Sequence, residues 1–435
     1  MNREIFNIAF PAIVANVTIP LLGLVDTAIA GHLGAPAFIG AIAVGSMMFN
    51  LVYWNFGFLR MSTSGMTAQA YGASDQTAAA RILRQASALG LLIALTIVAL
   101  QEPLQWVALA IIGPSDEVKV LALTYFRIVV WGAPPTLVMM GIKGWLLGMQ
   151  DSRGAMFISI GVNVVNIAAS VLCVYALHMG FTGIATGTLV AEWLGLAGSV
   201  IYLLGRYDWL RRMIDLGNML NFDGARHFFS VSADIFLRSL LMMVMNLAVV
   251  SIGARSGDLI LAVNALIGQL NMFFAYFLDG IAFAGEALVG KYVGRHDVQR
   301  LRQCVRRLFV WAGWLTAIFT VAYAFPQLFF GLLTDEANVL EAALPYRWWC
   351  AALPVAGMAA FVWDGVFIGL TYSRGMLWAV AVSTALFFVI YLALPASIGN
   401  HRLWLAFVID HVMRGAVQTL LYYKNRLYQT KMAKK

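Results

Sequence analysis

Polar residues punctuate this chain rather than pattern it. Apolar runs of about 20 residues or more, the length of a helix that crosses a bilayer, recur from one end to the other. Twelve are read, near 8–30, 37–70, 86–112, 120–149, 155–177, 183–205, 229–252, 259–290, 308–332, 341–370, 376–394 and 403–423. In lipid each backbone polar group must be satisfied inside its own segment, so runs of this length predict helices. The runs at 37–70, 120–149, 259–290 and 341–370 exceed a plain span, and those helices are expected to tilt or to project into the cytoplasm. The fold class that follows is an all-α polytopic membrane protein with twelve transmembrane helices.

The pattern repeats. GMTAQAYGASD (65–75) parallels ALVGKYVGRHD (287–297), with Gly72 on Gly294 and Asp75 on Asp297. GWLLGMQDSRG (144–154) parallels GVFIGLTYSRG (365–375), and a whole Ser-Arg-Gly turn coincides. Both matches share an offset of 221–222 residues, which points to duplication. The expected organisation is a six-helix lobe over 1–205, a polar cytoplasmic linker over 206–228, a second six-helix lobe over 229–423 and a basic tail over 424–435. Both halves start from the same side. Such parallel repeats form two lobes around a central cleft that open alternately.

Composition agrees. The 435 residues are 61% hydrophobic and 11% charged, too apolar for a soluble domain of this size. The first run lacks a small-residue cleavage site and reads as a retained span. The net charge of +8 gathers in alternate loops, at residues such as Arg3, Arg81, Arg84, Arg211, Arg212 and Arg300. The opposite loops hold Lys119, Arg255 and Arg402. That imbalance puts both termini in the cytoplasm and explains the basic charge without nucleic acid. Cys173, Cys304 and Cys350 are far apart and show no metal or disulfide spacing. No nucleotide loop or catalytic triad is visible, so an ion gradient is the expected energy source and an enzyme is not expected.

Candidate chemistry lies in acids inside the spans, which are costly there and functional by default. Asp26 sits deep in the first span, six residues after Pro20. Proline removes a helical hydrogen bond, so a hinge is expected at Pro20. Burial disfavours the charged carboxylate, which suits Asp26 to taking up a proton. Asn163, Asn166 and Ser170 follow helical spacing in the fifth span, with Asn166 and Ser170 on one face. Asp279 and Glu286 lie two turns apart in the eighth span and Asp364 in the tenth, where all three are expected to face a wet cleft. The alternative is pairing with a base inside the membrane: Lys143, Arg238, Arg347 or Arg414. Lys143 falls on Asp364 in the repeat, which would allow an ion pair across the lobes. Asp234 and Arg238, at i,i+4, read as a simple helix pair. Met242, Met243, Met245, Met272, Phe273, Phe274 and Tyr276 suit either a tolerant apolar pocket or plain packing.

PLLGLVDTAIAGHLG near the start, RMSTSGMTAQAYGA (60–73), GWLLGMQ and LDGIAFAGEALVG (278–290) resemble the MATE family of multidrug and toxin extrusion transporters, in its DinF branch, over essentially the whole chain. The resemblance implies a two-lobe antiporter that exports organic, often cationic, compounds against H⁺ or Na⁺, with no other cofactor. It further implies an ion site at Asp26 facing Asn166 and Thr188. Many relatives carry a second Asp where this chain has Ser170. One carboxylate with amide and hydroxyl neighbours favours a proton. Small-molecule drugs or toxins would be the substrates, the (inner) cell membrane the location, and no obligate protein partner is evident. The other readings are a Na⁺-coupled exporter, a lipid-linked precursor flippase of the same superfamily and a membrane scaffold or receptor. The acids in the spans argue against the last two.

Overall fold

The computed structural model describes residues 1–213 and 225–424; parts of the expected linker (214–224) and tail (425–435) lie outside the described residues. Every described element is helical. The twelve long helices are α1 (Asn2–Gly31), α2 (Pro36–Gly72), α3 (Gln76–Ala99), α4 (Asp116–Gly148), α5 (Ser152–Ala176), α6 (Phe181–Arg206), α7 (Arg226–Arg255), α8 (Asp258–Gly294), α9 (Val298–Tyr323), α10 (Ala337–Gly369), α11 (Ser373–Ala393) and α12 (His401–Lys424). They stand where the twelve runs predict them. Eleven are long and apolar enough to cross a membrane. The exception is α12, whose Arg402, Asp410, His411 and Arg414 interrupt its apolarity.

Three of the four overlong helices contain breaks, while α8 runs unbroken over Asp258–Gly294. A 3-10 turn at Trp54–Gly57 divides α2, another at Val130–Gly132 divides α4, and a third at Leu344–Tyr346 divides α10. Proline follows or occupies the last two, at Pro134 and Pro345, where a missing N–H is tolerated at the start of a helix. The 86–112 run splits at Leu100 into α3 and the short helix Gln101–Ile112. The 308–332 run likewise ends at Tyr323, before Pro326 starts Gln327–Leu333.

The described residues form two compact units, one of Val14–Phe229 and one of Met1–Ile13 with Ser230 onward. The first turns of α1 thus group with the second unit, outside the expected 1–205 lobe. There Glu4 accepts from Lys291 Nζ at 3.0 Å and from the Tyr292 hydroxyl at 3.2 Å, while Ala9 and Ile13 lie against Gly280.

Each unit is built on the same glycine crossing. A Cβ on Gly144 of α4 would sit 2.3 Å from the Arg60 carbonyl of α2, and one on Gly365 of α10 would sit 2.2 Å from the Ala282 carbonyl of α8. One turn on, Gly148 meets Thr67 and Ser64, and Gly369 meets Gly290 and Glu286. Caps repeat too: Asp75 accepts from Ala78 N–H before α3, and Asp297 from Arg300 N–H before α9. Ser74 and His296 share a left-handed backbone, at φ 57° and 56°, as do Gln150 and Thr371, at 65° and 52°. The repeat in the sequence is a repeat in backbone geometry.

Gly144→Ala and Gly365→Ala should each cost about 1–3 kcal/mol, since the backbones must separate. Gly161→Ala, at a site with nothing within 4 Å, is the control and should be near neutral. Thermal unfolding in detergent checks the order; equal melting of all three variants would contradict the crossing.

Candidate functional site

In the first unit Asp26 is 7% exposed, and its Oδ1 is buried without a hydrogen bond among the described residues. No ion pair reaches it among those residues. Its electrostatic neighbour is Tyr125 of α4. The Tyr125 ring lies against Gly45 of α2, where an added Cβ would fall 2.5 Å from the ring, so the glycine makes room for it. The Tyr125 hydroxyl reaches Thr188 of α6 and Ser46 of α2. Thr188 donates to the Ile184 carbonyl at 3.1 Å and accepts from Asn166 Nδ2 at 3.1 Å. Ser170 donates to Asn166 Oδ1 at 3.4 Å. Asn166 and Ser170 are 2% and 0% exposed. The α5–α6 crossing beside them is close, because a Cβ on Gly187 would stand 2.3 Å from Ser170 Oγ.

Hydrogen bonds thus bring Asn166, Ser170 and Thr188 together, and Tyr125 has both Thr188 and Asp26 as neighbours. Asn163 is elsewhere. Its Nδ2 donates to the Thr18 hydroxyl at 3.1 Å and the Thr18 carbonyl at 3.4 Å, and Thr18 donates to the Ala15 carbonyl at 2.7 Å. These bonds brace α1 just before Pro20, and the helix runs unbroken through that proline.

In the second unit Asp364 has partners of its own. Arg238 of α7 donates to Oδ2, and Gln418 Nε2 of α12 donates to Oδ1 at 2.7 Å. Arg238 also feels Asp279 and Arg414. Glu286 is 1% exposed at the α8–α10 crossing. Asp364 is thus paired with Arg238, one of the bases expected as the alternative to a wet cleft, and Glu286 is buried in its own unit. Asp234 accepts from Ser373 Oγ at 2.7 Å and so holds the second Ser-Arg-Gly turn. Lys143 has Glu192 of its own unit as its opposite charge.

A family model described as MatE matches residues 11–172 and again 235–394, one match in each half. The chain belongs to the MatE family. It is 37% identical to the DNA damage-inducible protein F of Escherichia coli K12, over 95% of this chain and 90% of that protein. It is 25% identical to a probable multidrug resistance protein NorM of a Synechococcus strain, over 84% of this chain and 79% of that one. Its fold matches a crystal structure of MATE in the bent conformation at a TM-score of 0.86 and 18% identity, covering 100% of this chain and 97% of that one. MATE proteins are transporters rather than enzymes, and this one is a multi-pass membrane protein.

Within this MATE protein, sequence reasoning missed Tyr125, because a tyrosine in an apolar run reads as packing. It missed Glu192 too, at the end of the stretch that supplied Thr188. It also missed Asp410 and Gln418 of α12, which flank Arg414 at i−4 and i+4, all three 2% exposed or less; that spacing was the available signal. Removing one member of a buried pair strands the other. Arg238→Met should therefore destabilise the protein by about 3–5 kcal/mol, and Arg238→Met with Asp364→Leu should recover most of it. Melting of the three proteins in detergent is the measurement; a double variant no better than the single would mean that the pair does not hold the unit together.

Proposed function

We propose that this transporter is a proton-driven exporter of organic, often cationic, compounds that works by alternating access. The observation that carries the reading is Asp26: a buried carboxylate with one oxygen unpartnered and no base against it among the described residues. An uncompensated charge in a span costs about 2.5–3.5 kcal/mol, which taking up a proton relieves. The hydroxyl and amide chain of Tyr125, Thr188, Asn166 and Ser170 can bond either form of a carboxyl group, since each member donates or accepts. Sodium asks for several oxygens at once, and Asp26 offers one carboxylate. Pro20, which cannot donate to the turn behind it, is the point at which α1 would bend when Asp26 changes charge. The multidrug names of NorM relatives support the substrate class. The loop charges support an inner-membrane topology with both termini and the 206–228 linker in the cytoplasm.

Asp26→Asn is expected to abolish dye efflux while leaving the protein inserted and monodisperse. Collapsing the proton gradient at constant sodium should stop efflux by the native protein. Efflux that persists and follows sodium would transfer the coupling to Na⁺.

Reporter fusions at Lys435 and within the linker should both report the cytoplasm. An external signal from either would break the parallel two-lobe arrangement.

A further inference from the structure

Around the start of α9 the second unit gathers basic charge. Lys291, Arg295, Arg300, Arg302, Arg306 and Arg307 stand against one acid, Asp297, between Lys291 and Trp311. Two are engaged: Lys291 Nζ lies 3.0 Å from Glu4, and Arg300 Nε lies 3.5 Å from Asp297. Arg302, Arg306 and Arg307 are exposed and make no ion pair among the described residues. Orientation in a membrane does not ask for so many, because the first unit has only Arg81 and Arg84 at this place. With Asp75 on Asp297, Arg306 falls on Arg84, but Arg300, Arg302 and Arg307 fall on Ala78, Ala80 and Gln85.

The arginines sit at the end of an apolar stripe. One face of α9 is buried through Leu301, Cys304, Val305 and Leu308. On the opposite face Gln299, Gln303, Arg306, Val310, Trp314 and Val321 follow one another at helical spacing, and all are exposed. An open pocket of about 510 Å³ is lined by Gln299, Arg300, Arg302, Gln303 and Arg306. A second, of about 170 Å³, is lined by Gln303, Arg306, Arg307 and Val310. The two share Gln303 and Arg306, so a surface of guanidinium and amide groups leads straight onto the apolar stripe.

That juxtaposition selects the ligand. A guanidinium offers a phosphate two parallel N–H donors, and the glutamine amides add more. A free anion would satisfy the arginines and leave the stripe bare. Trp314 lies roughly 12 Å along the helix from Arg306, within reach of an acyl chain whose phosphate rests on the arginines. Val310, Trp314 and Val321 belong to a helix long and apolar enough to cross a membrane, where lipid is the surrounding medium. We propose that this face of α9 binds an anionic phospholipid, with the phosphate on Arg302, Arg306 and Arg307 and one acyl chain along Val310 and Trp314. A basic cluster at the end of a membrane helix is the electrostatic partner such a headgroup needs. The inference is independent of the coupling ion.

The test is native mass spectrometry of the full-length protein in detergent, offered phosphatidylglycerol and phosphatidylcholine with the same chains. The native protein should retain phosphatidylglycerol about tenfold more than phosphatidylcholine. Arg302→Gln with Arg306→Gln and Arg307→Gln should abolish that preference. The corresponding triple change to Lys should keep part of it, because the charge stays while the paired donors go. Arg206→Gln with Arg211→Gln and Arg212→Gln removes the same amount of exposed charge elsewhere and should leave the preference intact. Excess soluble glycerol phosphate should not displace the lipid. Equal loss in the two glutamine triples would reduce the effect to general surface charge and overturn the site. Displacement by glycerol phosphate would make it a site for soluble phosphate, and a preference that survives loss of the three α9 arginines would place the lipid elsewhere; either result overturns the proposal.

Discussion

A carboxylate placed inside an apolar helix must find a base, a cation or a proton, because the surroundings do not solvate its charge. The two units of this transporter answer that constraint differently. In the second, Asp364 has Arg238 on one oxygen and Gln418 on the other, and the acid is spent on holding α7, α10 and α12 together. In the first, Asp26 has no such partner among the described residues, and an ionisable neighbour is the tyrosine Tyr125. A satisfied ion pair is a fastening, whereas an unsatisfied carboxylate is a place where charge can change. Duplication has left two similar scaffolds with opposite electrostatic assignments.

The scaffold itself depends on close backbone approach. Gly144 with Gly148, and Gly365 with Gly369, let two helices in each unit touch through their main chains. In lipid, where apolar side chains gain little by leaving their surroundings, such contact is a main source of helix association. Ser64 and Glu286 occupy equivalent places at these crossings. The second unit therefore buries an acid where the first has a hydroxyl.

Much of this was legible in the sequence. The twelve helices follow from run length, and the duplication follows from two matches at one offset. Asn166, Ser170 and Thr188 were legible because polar residues at helical spacing in a span must find one another. What escaped was tertiary. The local i,i+4 rule joins Arg238 to Asp234, but it could not show that Asp364 on α10 takes Arg238 or that Ser373 takes Asp234. Tyr125 escaped because its role comes from where its hydroxyl ends, and only packing against Gly45 determines that. At Pro20 the helix is continuous, and Thr18 and Asn163 are bonded beside it, a brace that no local pattern announces.

The grouping of Met1–Ile13 with the second unit has a consequence for how the chain comes together. Ile5 and Ile8 are buried, at 1% and 3% exposure, and Glu4 is held by Lys291 and Tyr292, almost three hundred residues downstream. These residues are made well before α8 and reach their neighbours only after it has been made. This upstream segment is thus fastened only late, by a long loop closure that short-range helix packing cannot shorten. For the same reason, severing the chain at the linker would not yield two self-sufficient halves. The upstream fragment would carry a stretch whose contacts belong to the other, and the downstream fragment would lack it.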